Sequence, residues 1–347
     1  MPVVLRSKTF ARRFMQDLAV KLADPERYRP WKSGITRLDE ITGGIGKAWY
    51  IVVVAQLKGG KTGWLTTINK ALAIQKVSYL NIHLEMNFEQ MAWRVFAGMS
   101  GVSMTSFRDL VVTPEEWSRL EEAQKEIEEW NGYYSESAES LSEIKKLVYT
   151  LEPEVIVLDY LGLTKSDNEY ASLNMQLGEI SRSLKMMTKM VKTSEIEDRR
   201  HEMLLTLEGA RSYMEPDDFE LILDGLRMKW AEEDDKYSDQ NNLSRGRTVI
   251  TAQQTSKEMV RAGLSGKTLD STAPKDSNKP FEDCDLGITI NPVLGPDDKP
   301  VSNAREINIA VSRVSDVGKF TVGYNGATAT FFDQADITKR STLDWVR

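Results

Sequence analysis

Two periodicities alternate along the chain. Ile51–Val54 is an unbroken β-branched run, apolar on both faces and too short for a helix, which predicts a buried parallel strand. Helical spacing follows a glycine loop and runs from Lys61 to about Gln75. A second apolar run over 78–84 ends at Glu85, and a helical segment extends from Asn87 to about Met99. Pro114 sits at a helix start with Thr113 as its N-cap, and the acidic helix runs to Trp130. A helix over Leu141–Leu151 leads into a third strand, Val155–Leu158. Helical spacing then returns from Leu173 to about Lys192 (Leu177, Ile180, Leu184, Met187, Val191). Thr248–Ala252 and Asp285–Ile290 read as further strands. After a turn at Pro296–Pro300, three alternating strands near 306–313, 319–324 and 327–332 close the chain as a meander. Strands alternating with helices, then late antiparallel strands, predict an α/β domain with a mainly parallel sheet.

Four stretches stand outside that alternation. In 1–32, Phe10, Phe14, Leu18 and Leu22 recur at helical spacing among Arg12, Arg13 and Lys21, and Pro25 and Pro30 end the helix. It packs either on its own domain or, as an arm, on a neighbouring subunit. Residues 33–46 read as a short helix with a Gly-rich exit. Residues 193–243 interrupt the α/β pattern with helical spacing near Met203–Leu207 and Phe219–Leu226 and a polar end, EEDDKYSDQNN. We read them as an inserted acidic helical segment, either a solvated decoration or a partner-docking site. Residues 255–281, rich in Gly, Ser, Lys and Pro, read as a mobile loop.

Charge narrows the classes only when read locally. The chain has 45 basic and 52 acidic residues, a net charge of −7. The 193–243 stretch alone holds 15 acidic and 6 basic residues, so the remainder carries a small basic excess. An acidic protein of this kind keeps room for a basic nucleic-acid surface. One cysteine, Cys284, and two histidines exclude a disulfide framework and a Cys- or His-rich metal site. The absence of a long apolar run or a signal-type start leads us to expect a soluble, cytoplasmic protein with no membrane association.

The chemistry concentrates in 51–66, IVVVAQLKGGKTGWLT. Strand, glycine loop, Lys-Thr and helix form a phosphate cradle from Ala55, Gln56, Leu57, Lys58, Gly59, Gly60, Lys61, Thr62 and Gly63. In such a cradle, loop amides and the helix N-terminus face the anion. Lys61 reaches the β/γ-phosphates, and the Thr62 hydroxyl ligands Mg²⁺. The cofactors implied are ATP or another NTP, and Mg²⁺. Ala55 stands where the usual pattern has Gly, and a GGKT is also found in ordinary glycine turns. Asp159 ends the strand VIVLD, where a carboxylate would hold the Mg²⁺ water shell. Glu85, also at a strand end, is placed to orient and deprotonate water near the γ-phosphate. Gln254 ends TVITAQQ as a neutral γ-phosphate sensor. In EINIAVSR, alternation puts Ile307, Ile309, Val311 and Arg313 on one buried face. A cation there calls for an anionic partner, and a carboxylate of the same subunit would serve.

The segments TGGIG, AQLKGGKT, HLEMNFEQM, VIVLDYLGL, EISRSLK, ITAQQTSK and AVSRVSDVG resemble, in order and spacing, the RecA-like motor domain of DnaB-type replicative helicases. The resemblance covers about 33–192 and 244–332. It implies a RecA-like P-loop NTPase fold that forms hexameric rings, hydrolyses NTP with Mg²⁺ and translocates on single-stranded DNA. It implies that residues 1–32 are the linker helix and that 33–347 are the motor domain with its insertion. By motif, Glu85 becomes the catalytic base, Gln254 rather than Gln253 the sensor, and Arg313 the arginine finger reaching a neighbour's site. Channel-facing loops are then 164–174 and 255–281, the latter with Lys257, Arg261, Lys267, Lys275 and Lys279 as phosphate contacts. Val311 replaces a family Lys, Gly162 a family polar residue, and the globular N-terminal domain has no counterpart here. These departures suggest a phage-like form. Two other readings remain: a RecA/RadA-like recombination ATPase, and a nonmotor RecA-fold scaffold or loading protein.

Overall fold

A computed structural model of the chain describes residues 7–56, 58–166, 172–189, 246–255, 278–295 and 300–333, with short pieces between 207 and 230. In chain order its helices are α1 (Ser7–Ala23), α2 (Pro25–Tyr28), α3 (Thr36–Thr42), α4 (Lys61–Ile74), α5 (Phe88–Ser100), α6 (Met104–Arg108), α7 (Pro114–Glu128), α8 (Leu141–Leu151) and α9 (Leu173–Met187). The strands are β1 (Tyr50–Ala55), β2 (Tyr79–His83), β3 (Gly132–Ser135), β4 (Val155–Asp159), β5 (Thr248–Gln254), β6 (Leu286–Leu294), β7 (Pro300–Ser312), β8 (Gly318–Asn325) and β9 (Thr330–Phe332). They form one sheet in the order β3-β2-β4-β5-β1-β6-β7-β8-β9. It is parallel from β3 to β6 and antiparallel from β6 onward. The architecture is therefore the α/β one expected, with a mainly parallel sheet and a C-terminal antiparallel meander.

β1 lacks alternation because both of its faces are covered. Ile51, Val53 and Ala55 join a core with Trp64, Leu65, Ile68 and Leu72 of α4. Tyr50, Val52 and Val54 join a second core with Ile144 and Val148 of α8 and Ile180 and Leu184 of α9. Each fully buried aliphatic side chain contributes about 1.5–3 kcal/mol, so the central strand is anchored from both sides. Several helix starts carry side-chain caps, the one at Thr113 as expected. Thr113 and Glu116 form a capping box ahead of α7 with Pro114 in its first turn, Ser140 and Glu143 form another at α8, and Asn87 caps α5.

Several elements differ from expectation. The edge strand β3 carries no sequence signal: GYYS is four residues long and only partly buried, too short to show a period. Helix α6 and a short helix at Lys279–Asp283 also appear, the second at the end of what reads as a loop. β7 begins at Pro300, six positions before the apolar alternation signals it. The stripe of α1 is largely uncovered, with Phe10 64% and Leu22 68% exposed.

The single buried face expected from Ile307 to Arg313 is broken. Ile288 pairs with Ile309 but Gly287 with Val311, so β7 takes up one extra residue there. Ile307 and Ile309 therefore face the α4 core, Ala310 and Val311 pack on the α8–α9 core, and Arg313 is exposed.

Most of the acidic 193–243 stretch lies outside the described residues; those seen at 207–208, 219–220 and 222–226 are helical. Its flanks come together. A Cβ built on Gly246 would stand 1.5 Å from the carbonyl oxygen of Thr188, so the chain leaves and re-enters the domain at one place. Deleting 193–243 and joining the ends with a short Gly/Ser linker is expected to leave a soluble domain with native circular dichroism. An insoluble or unfolded product would make the stretch part of the core.

Candidate active site

In open parallel sheets, ligands bind outside the carboxyl ends of the strands, and the candidate residues gather there. β1 ends at Ala55, in register with Gln254 at the end of β5. β2 ends at His83, in register with Asp159 at the end of β4. Between β1 and α4 the loop turns through Lys58 (φ 60°) and Gly60 (φ 107°), with Gly59 N donating to Gln56 O at 2.9 Å. Left-handed backbone favours glycine, and Gly63 is needed for a second reason: a Cβ there would lie 2.5 Å from Ala329 O. Leu57 lies outside the described residues. Lys61 and Thr62 occupy the first turn of α4, whose leading amides have no intrahelical acceptor and whose dipole favours an anion.

Thr62 Oγ1 donates to Asp159 Oδ2 at 2.7 Å, joining the helix start to the β4 end. Asp159 is wholly buried, and burial pushes its carboxyl above the usual range, opposed by the Thr62 hydrogen bond and the charges of Lys61 and Arg94. Lys61 is also buried. That burial pulls its ammonium below the ordinary value, opposed by Asp159 and Glu85. Its Nζ lies 5.7 Å from the centroid of the Tyr160 ring. Glu85 is exposed just past β2, near enough for its charge to act on Lys61.

The residues present fit a polyphosphate and a hard divalent cation. Oδ1 of Asp159 has no hydrogen-bond partner among the described residues, a costly state for a buried carboxylate unless a cation joins it. Among the described residues no three His, Cys, Asp or Glu side chains could hold a metal. A cation here would take its other ligands from the Thr62 hydroxyl, phosphate oxygens and water, as Mg²⁺ commonly does.

Two cations escape the sequence reading. Arg305 Nε donates to Gly59 O at 3.3 Å, and its guanidinium stacks 4.4 Å from the Tyr324 ring centroid, beside the loop. Arg94 of α5 is the other; its charge reaches both Asp159 and His83. The signal for Arg305 is topological. Once β7 runs antiparallel to β6, its early residues return to the loop's end of the sheet, where Arg305 pairs with Pro292.

Arg313 is not part of this cluster. Ser312 pairs with Leu286, which pairs with Ile51 at the start of β1. The phosphate loop begins beyond Ala55, about 13 Å further along the strand. In place of a same-subunit carboxylate, Arg313 donates through NH2 to the carbonyl of Glu282. Of the proposed DNA contacts, Lys257, Arg261, Lys267 and Lys275 lie outside the described residues, and Lys279 is ion-paired with Glu282 on its short helix. In 164–174, Lys165 pairs with Glu139, while 167–171 lie outside the described residues. Among the described residues no helix is long and apolar enough to cross a membrane.

Fold and cradle together define a RecA-like phosphate-loop α/β domain. Residues 31–196 match the family described as DnaB-like helicase C terminal domain. The replicative DNA helicase DnaB of Treponema pallidum (strain Nichols) is 30% identical over 163 residues, 45% of this chain and 37% of that protein. DnaB of Geobacillus stearothermophilus is 29% identical over 165 residues, 45% of this chain and 36% of that protein. The chain thus spans well under half the length of these curated relatives. Among solved structures, a chain described as an ATPase domain superposes with a TM-score of 0.68 at 17% identity, covering 94% of this chain and 99% of that one. A DnaB-like replicative helicase, studied with its interactions with primase, superposes with a TM-score of 0.63 at 18% identity, covering 88% of this chain and 63% of that one. At those identities the likeness is one of fold.

Proposed function

We propose that the chain is the NTP-hydrolysing motor of a ring-forming replicative DNA helicase that translocates on single-stranded DNA. The observation that carries this reading is the junction of Lys61 and Thr62 with Asp159, flanked by Glu85 and Gln254. Together they supply an anion cradle, a cation-binding carboxylate, a base and a γ-phosphate sensor at one edge of the sheet.

Loop amides and Lys61 hold the β/γ-phosphates, and Thr62 with Asp159 holds Mg²⁺, which when bound neutralises charge on the transferring phosphoryl group. Glu85 orients a water and takes its proton. Gln254, in register with Ala55, reports the γ-phosphate to the segment that follows it, where the basic residues from Lys257 to Lys275 meet DNA. Replacing the base isolates the step. Glu85→Gln is expected to bind ATP normally and to hydrolyse it at least ~100-fold more slowly, checked by nucleotide binding and single-turnover hydrolysis; normal turnover would reassign the base.

Assembly into a ring is supported by two exposed apolar features. The exposed stripe of α1, with Phe14 and Leu22, shares its helix with Arg12 and Lys21. A groove of about 250 Å³ between α5, α6 and α7, lined by Trp93, Phe96, Phe107 and Trp117, carries the acidic Glu121. An apolar, basic helix from one subunit complements an apolar, acidic groove on the next. Arg313, exposed at the end of the sheet remote from its own loop, is then placed to serve a neighbour. Negative-stain imaging tests the assembly: closed rings support it, and filaments would favour the recombination-ATPase reading. We place 1–32 as the connecting arm, 33–347 as the motor, and the 193–243 insertion as a partner-docking element.

A further inference from the structure

His83 is buried, with 3% of its surface exposed, on the α4 side of the sheet, and the roles proposed above leave it unused. It is the register partner of Asp159, so both side chains rise on the same face. Its Nδ1 stands 3.8 Å from Asp159 Oδ2, the oxygen that also accepts from Thr62, and neither ring nitrogen has a hydrogen-bond partner among the described residues. Burial and the charge of Arg94 pull its pKa down to about 4, which keeps the ring neutral.

A neutral imidazole has one N–H donor and one acceptor nitrogen, and leaving both unmet in a buried site is costly. The 3.8 Å separation is about 0.9 Å longer than an ordinary N–H···O hydrogen bond. The carboxylate facing it is in the complementary state, with Oδ2 already held from one side and Oδ1 without a partner among the described residues.

We propose that His83 is a positioning residue of the metal site, donating from Nδ1 to Asp159 Oδ2 so that Oδ1 is fixed toward the cation's water shell. The inference rests on the nucleotide-and-Mg²⁺ reading above. With Thr62 and His83 both holding Oδ2, the carboxylate loses its freedom to rotate.

The test uses the full chain with a nonhydrolysable ATP analogue and Mn²⁺ as the spin probe, with bound Mn²⁺ read by electron paramagnetic resonance. His83→Ala is expected to weaken Mn²⁺ binding about tenfold, the scale of an outer-shell partner, with analogue affinity in the absence of metal unchanged. His83→Asn, whose amide nitrogen falls near the Nδ1 position, is expected to restore Mn²⁺ affinity. His83→Gln, whose amide nitrogen falls near Nε2, is expected not to. A folded His83→Ala with wild-type Mn²⁺ affinity, or equal affinities for the Asn and Gln variants, would overturn the proposal. If the Ala variant does not fold, the Asn and Gln pair decides alone. Failure of the wild-type chain to bind Mn²⁺ with the analogue would overturn the nucleotide reading itself, and this inference with it. Tight wild-type binding with an unaffected Ala variant would remove His83 only.

Discussion

Subunits carrying Arg313→Ala are expected to lose about 10³-fold or more in ATP turnover, the scale of a missing arginine finger, and to regain part of it when mixed with Glu85→Gln subunits. The expectation follows from the sheet. Arg313 directly follows β7, its N–H donating to Asp285 O, at the edge where β1 begins, whereas Lys61 follows the edge where β1 ends. No side chain spans that separation, so any phosphate that Arg313 touches belongs to another subunit. Mixed assemblies contain some interfaces that join an intact Glu85 to an intact Arg313, and turnover returns there. Mixed rings verified by mass spectrometry that show no recovered turnover would contradict action in trans. Wild-type turnover of the Arg313→Ala protein alone would remove the finger altogether.

Lys61→Ala is expected to abolish measurable ATP binding. Hydrogen bonds to charged groups contribute about 1.5–3 kcal/mol each. Lys61 is the buried cation at the helix start, where burial pulls its ammonium below the ordinary value and the Asp159 and Glu85 charges oppose that shift. A loss of about 3 kcal/mol corresponds to more than ~100-fold in affinity. Isothermal titration with ATP and Mg²⁺ checks it, with circular dichroism to show that α4 persists. Unchanged affinity in a folded variant would end the phosphate-cradle reading.

Legibility in the sequence follows burial. The parallel strands β1, β2, β4 and β5 announce themselves as apolar runs because both faces of each are covered. Glu85, Asp159 and Gln254 can be placed because the end of such a run fixes which end of the sheet the next side chain occupies. β3 is hidden by its length and its half-exposed edge position. The bulge between Gly287 and Ile288 is hidden because alternation assumes an unbroken register, and one extra residue reverses every face beyond it. That slip turns Arg313 from an expected buried residue into an exposed one. Arg305 and His83 are invisible for a different reason: strand order, not local sequence, brings them beside Gly59 and Asp159.

The central claim, that this cradle drives a motor coupled to DNA, reduces to one comparison. ATP turnover by the purified full chain is measured with Mg²⁺, with and without single-stranded DNA, across a salt series. The account predicts basal hydrolysis that single-stranded DNA stimulates severalfold, with a stimulation that fades as salt rises because phosphate contacts release counterions. Nucleotide binding without hydrolysis under either condition, or hydrolysis indifferent to DNA at every salt concentration, would contradict it.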